Sequence, residues 1–179
     1  DYSAMGFFKH PKSEKGLYGD YREQIMQSLY TGMLNKRLRE IAQKPESPFL
    51  GSGTGYGSFI GRSVDAYQLM VSAKENQIEK SLEVVLTENE RVRRFGFLAS
   101  ELEREKKDML TMLEKMAKEA DKTESSSYAD EYTRNYLDKE PIPGIQKEFE
   151  ITREFLPGIS LDEINKLGKE LVTDDNIVA

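Results

Sequence analysis

The chain has 179 residues, one histidine and no cysteine, and 32 acidic against 26 basic side chains leave a net charge of −6. A chain of this length can bury about 70% of its unfolded surface in a single domain, and with 37% apolar and 32% charged residues no run is long enough to span a bilayer. The missing thiols exclude disulfide scaffolds, thiolate zinc sites and cysteine nucleophiles and leave the compartment open, while the negative field repels nucleic acid and anionic lipid at a distance.

The chain opens at Asp1 without an initiating Met or a targeting segment. The aromatic stretch 2–8 predicts a short strand, and Lys9 to Gly16 a polar connection. Met26, Tyr30, Met33/Leu34, Leu38 and Ile41 recur at 3.6-residue spacing and predict a helix over Asp20–Gln43, capped by Asp20 and stopped by Pro45 and Pro48.

Glycines at 51, 53, 55 and 57 then alternate with Ser52, Thr54, Tyr56 and Ser58. A dinucleotide fingerprint requires glycines at relative positions one, three and six, and counting from Gly51, Gly53 or Gly55 puts Tyr56, Ser58 or Ile60 at the sixth. A phosphate loop of the Gly-Lys-Ser/Thr type is absent as well. Period-two alternation predicts instead a strand with one bare face, and such a face implies a close backbone or a large side chain against it. The alternative is an open groove that holds an extended ligand. Residues Val64–Ala73 predict a second strand, joined to the first as a hairpin through Gly61-Arg62-Ser63.

The remainder reads as helix. A stripe of Ile78, Leu82, Val85/Leu86, Asn89 and Val92 covers Asn76–Arg94, with Gly96 suited to a left-handed cap. Ser100 and Glu103 predict a capping box for a helix whose apolar face is Leu102, Met109, Leu113, Met116 and Ala120. Tyr128, Tyr132 and Tyr136/Leu137 predict another, and the Met109, Met112, Met116 and tyrosine stripes read as core. Ile145 to Leu156 predicts a short helix ended by Pro157-Gly158, and Ser160 with Glu163 a second capping box before Ile164, Leu167 and Leu171. Asn176–Ala179 resembles the start of a strand, so both ends read as those of a piece cut from a longer polypeptide. Six helices with three or four strands predict one α+β domain over residues 1–179, its helices on one face of a small antiparallel sheet.

Chemistry-bearing patterns are sparse. His10, beside Pro11 among lysines, reads as a solvated loop histidine. One imidazole is too few for the usual hydrolytic zinc site, and no Gly-x-Ser-x-Gly elbow supports a serine hydrolase. Acidic groups such as Glu88/Glu90, Glu101/Glu103/Glu105 and Asp174/Asp175 read as solvated or ion-paired helix faces and ends, and the run Asp121 to Asp130 lacks the glycine an EF-hand needs. The basic cluster Arg91, Arg93 and Arg94 beside Phe95 sits at a helix C-terminus, where cations complement the dipole; phosphate or RNA contact is the sharper alternative.

One resemblance adds to this. Tyr21-Arg22-Glu23, Leu34-Asn35-Lys36-Arg37-Leu38, Pro48-Phe49-Leu50-Gly51, Glu90 to Phe97 and Glu101-Leu102-Glu103-Arg104 together resemble the insulinase (pitrilysin) family of zinc metallopeptidases. Glu140 to Ile145 and Phe155-Leu156-Pro157-Gly158-Ile159 resemble the continuation in its bacterial members, so that the likeness runs from about residue 17 to 171. It implies a parent of two related halves, each of two α+β domains, closing around a peptide-binding chamber. Zinc would be held elsewhere in that parent by an inverted H-x-x-E-H motif. This chain has no such motif, so no catalytic or metal-ligating residue is carried over, and no substrate-binding residue is assigned. The resemblance implies a non-catalytic domain that walls the chamber, with the parent's other domains and its peptide substrate as partners and no nucleic acid. A bacterial parent would suit a periplasmic or secreted location. The competing expectation is a separate interaction module that binds a partner through a groove or the hairpin edge.

Overall fold

The computed structural model describes residues 2–13, 18–59, 63–120, 133, 135–136, 141–173 and 175–178. Strand β1 (Tyr2–Pro11) leads to helix α1 (Tyr18–Ala42), the hairpin β2 (Phe49–Ser58) and β3 (Val64–Ala73), and helices α2 (Ile78–Phe95) and α3 (Ala99–Lys118). Helix α4 (Ile145–Phe155) runs into a 3-10 turn at Leu156–Gly158, followed by α5 (Leu161–Leu171) and the two-residue strand β4 (Ile177–Val178). The four strands form an antiparallel sheet in the order β2-β3-β1-β4, and among the described residues five helices pack against it, as the α+β reading requires. The expected tyrosine-bearing helix at 128–137 and the Asp121–Asp130 run lie almost entirely outside the described residues.

The strands show which face carries the helices. Gly6, Phe8, Tyr67, Leu69 and Val71 are buried on one side, whereas Met5 and Met70 are about half exposed on the other. Gly6 stands opposite Leu69, whose side chain fills the space a Cβ would take (2.9 Å). Helix α1 supplies the centre of the core through Ile25, Leu29, Tyr30, Met33, Leu34 and Leu38. Its position between sheet and helices explains why apolar positions lie on more than one of its sides.

Local chemistry sets several boundaries. Ser160 caps α5 as expected: its hydroxyl accepts from the Glu163 N–H, and the Glu163 carboxylate accepts from the Ser160 N–H at 2.9 Å. The α3 box is displaced by two residues, because Leu98 occupies the cap and its N–H donates to Glu101 at 2.7 Å. Ser100 therefore lies inside the first turn. Asp20 likewise lies within α1, which begins two residues earlier. Gly96 has the expected positive φ of 73° but an extended ψ of −169°, and a Cβ there would meet Asn165 at 2.5 Å. The Asn165 side chain instead accepts from the Phe97 N–H, so α5 fixes the α2–α3 corner from 68 residues away.

Three core assignments are corrected, one of them Tyr136, which is exposed. Met112 and Met116 are exposed on α3, and only Met109 packs against the core. Glu88 and Glu105, expected on solvated faces, are buried. Strand β1 also outruns its expected end, since His10 and Pro11 pair with Asp65 and Val64.

Candidate functional site

The strand prediction for residues 51–57 holds, and the register gives the geometry of its bare face. Gly51, Gly53, Gly55 and Gly57 stand opposite Ser72, Met70, Gln68 and Ala66, on the side of the sheet away from the helices. Among the described residues a Cβ added at Gly51, Gly55 or Gly57 would meet nothing within 4 Å, and no close neighbour explains the glycines, so the packing expectation is corrected. The strip borders a shallow apolar depression of about 250 Å³ formed by Met5, Phe7, Gly53, Gly55, Gln68 and Met70. Phe7 and Phe59, with ring centres 4.7 Å apart, close its end near the hairpin turn. A flat backbone strip flanked by methionine and phenylalanine suits an extended polypeptide, because thioether and aromatic side chains adapt to varied apolar groups.

Behind the sheet, the residues that carried the resemblance form a structural clamp. Nε and Nη2 of Arg37 each donate to Glu101 at 2.7 Å, and Nη1 donates to buried Glu88 at 3.1 Å. Its guanidinium also lies 5.0 Å from the centre of the Phe97 ring. The Glu101 hydrogen bonds chiefly, with Glu88, raise the Arg37 pKa, and the same contact lowers that of Glu101. The preceding residue, Lys36, bridges Glu105 (2.6 Å) and Asp108 (2.5 Å). These pairs join α1, α2 and α3.

The remaining candidates are accounted for individually. His10 is a half-buried strand residue whose Nε2–H donates to the Leu171 carbonyl at 3.0 Å, which corrects the solvated-loop expectation. Arg93 and Arg94 both bind Glu90, and Arg91 reaches Glu88 at 3.6 Å. The hydrogen bonds from Arg93, then Arg94, lower the Glu90 pKa to about 2. Paired in this way, the basic cluster belongs to a helix-end network of ion pairs. Among the described residues no three His, Asp or Glu side chains converge to hold a metal ion. No described helix is long and apolar enough to cross a membrane.

This fold is shared with solved domains of insulinase-type peptidases, in keeping with the sequence resemblance. The zinc protease PQQL-like protein of Arabidopsis thaliana is 26% identical over 171 residues, covering 96% of this chain and 15% of that protein. The first half of the periplasmic protease PqqL from Escherichia coli superposes with a TM-score of 0.83 at 16% identity, over 93% of this chain and 36% of that one. The inactive domain of an M16 peptidase from Pseudomonas fluorescens superposes at 0.68 and 11% identity, over 98% and 38% respectively. No family model matches the chain. The relatives are parts of larger peptidases, and this chain spans only a fraction of each.

Proposed function

We propose that residues 1–179 form one non-catalytic domain of an insulinase-type zinc metalloendopeptidase, which walls the chamber where the parent cleaves peptide bonds. Zinc and the catalytic residues reside on another domain of that parent, and no residue of this chain acts as acid, base, nucleophile or ligand. The observation that carries the reading is the open sheet face: four glycines on one strand side, three of them without a neighbour for a Cβ among the described residues, beside Met5, Phe7 and Met70. Its contribution is shape, since an extended substrate can lie against bare backbone without meeting side chains.

The test is Gly55→Trp in the full-length parent. The substitution projects into open space, so fold and zinc content are expected to survive while kcat/KM for long peptides falls by about tenfold or more. Unchanged cleavage of long peptides by a folded variant would remove this face from the chamber.

A further inference from the structure

The corner between α2 and α3 presents a surface that neither the arginine clamp nor the glycine face uses. Its middle residue, Phe97, is buried with the Arg37 guanidinium 5.0 Å from its ring, whereas Phe95 and Leu98 on either side are 80% and 65% exposed. Both are firmly held. The Phe97 N–H donates to Asn165 at 2.9 Å, the Leu98 N–H donates to Glu101 at 2.7 Å, and Gly96 turns the chain between them with a φ of 73°. Large apolar side chains scattered singly over a surface need no explanation, but these two border one depression of about 560 Å³, in which Ile41 completes the apolar lining.

The charges around this depression are arranged unequally. Its carboxylates turn inward: Glu88 and Glu101 are held by Arg37, and their side chains are only 10% and 22% exposed. The cations turn outward. Arg91 and Arg94 each leave 67% of the side chain in solvent, Glu90 is shared between Arg93 and Arg94, and Lys44 on the rim is exposed. Glu40 is the one exposed carboxylate among the lining residues. An approaching molecule therefore meets positive charge around an apolar centre, on a chain whose net charge is −6.

We propose that this corner docks an acidic protein segment with an apolar anchor. A leucine or aromatic side chain of the partner enters between Ile41, Phe95 and Leu98, and its flanking Asp and Glu residues reach Arg91, Arg94 and Lys44. Aromatic and arginine side chains dominate binding energy at protein interfaces, and a corner already fixed by hydrogen bonds loses little entropy on docking. The acidic remainder of the chain repels such a partner and so confines it to this site. Nucleic acid suits the surface less, because aliphatic Ile41 and Leu98 give a base nothing to stack on. The depression lies in the helical layer and does not rest on the chamber reading.

The test uses the 179-residue chain and a capped peptide of about twelve residues, Leu-Ala-Ala-Phe flanked by alternating Asp and Glu, with binding read by fluorescence anisotropy. A Kd below about 0.1 mM is expected at low salt, weakening by about tenfold or more at about 0.5 M salt. Replacing Leu and Phe of the peptide by Ser, or its acids by Lys, should each weaken binding by about tenfold or more. Phe95→Ser and the double variant Arg91→Glu, Arg94→Glu should do the same with an unchanged circular dichroism spectrum; Leu98→Ser serves if Phe95→Ser fails to fold. Absence of saturable binding, equal binding of the Ser-substituted peptide, full affinity in the folded variants, or displacement of the peptide by a single-stranded RNA of similar length would each overturn the proposal.

Discussion

Arg37 grips Glu101 through two hydrogen bonds of 2.7 Å each, and through them α1 is joined to the first turn of α3. The fork geometry is specific to guanidinium, because an ammonium offers a point charge without two coplanar donors. Arg37→Ala leaves Glu88 and Glu101 without their partner and should cost about 2–3 kcal/mol, measured by urea unfolding. Arg37→Lys should recover less than half of that. Equal stability of the lysine variant and the parent chain would show that charge alone suffices.

Gly168 and Gly55 should respond oppositely to enlargement. A Cβ at Gly168 would approach the buried Tyr30 ring to 2.7 Å. Overpacking of this kind costs about 1–3 kcal/mol, enough to outweigh the roughly 1 kcal/mol that alanine gains over glycine within a helix. Gly168→Ala should therefore lower the unfolding midpoint. Gly55→Thr meets open space in a strand and should raise stability by about 0.5–1 kcal/mol. A loss of stability in Gly55→Thr would reveal a neighbour over the strip.

Acid should loosen α5 in a defined window. The Ser160 N–H, then Arg22, lowers the Glu163 pKa from an ordinary 4.5 to about 2. A carboxylate depressed on folding contributes stability above its unfolded value and loses it as pH falls from 4.5 toward 2. Glu163→Gln should be less stable than the parent chain at neutral pH and converge with it in strong acid. Parallel curves throughout would remove Glu163 from the acid response. Ser160→Ala, which deletes the reciprocal cap bond, should cost about 1 kcal/mol at neutral pH.

Metal retention provides a separate check on the role of the domain. After equilibration with zinc and dialysis, the chain is expected to hold less than stoichiometric metal and to leave a generic peptide uncut. Tight one-to-one binding would assign it ligands that the proposed function denies.

The parts that could be read from sequence were those governed by local rules. The hairpin followed from period-two alternation, the boundaries of α4 and α5 from proline, glycine and the Ser160–Glu163 pair, and β4 from the apolar residues near the C-terminus. The unreadable parts depend on partners remote in the chain. Glu88 and Glu105 resemble surface carboxylates until α1 brings Arg37 and Lys36 to them, and His10 resembles a loop residue until Leu171 supplies a carbonyl. Ser100-x-x-Glu103 matched the capping pattern, yet Leu98 and Glu101 took the position because the arginine clamp holds Glu101 at the turn. The openness of the glycine strip could not be read at all, since alternation specifies a face and says nothing of what covers it.

Asn165 and the Gly96–Phe97 link impose an order of events on the nascent chain. The corner between two helices is completed by a residue synthesised well after both, so a ribosome-bound intermediate ending before α5 would hold α2 and α3 through the Arg37 clamp but without the Asn165 contact. The helical layer thus gains one of its corner restraints only after α5 has been made.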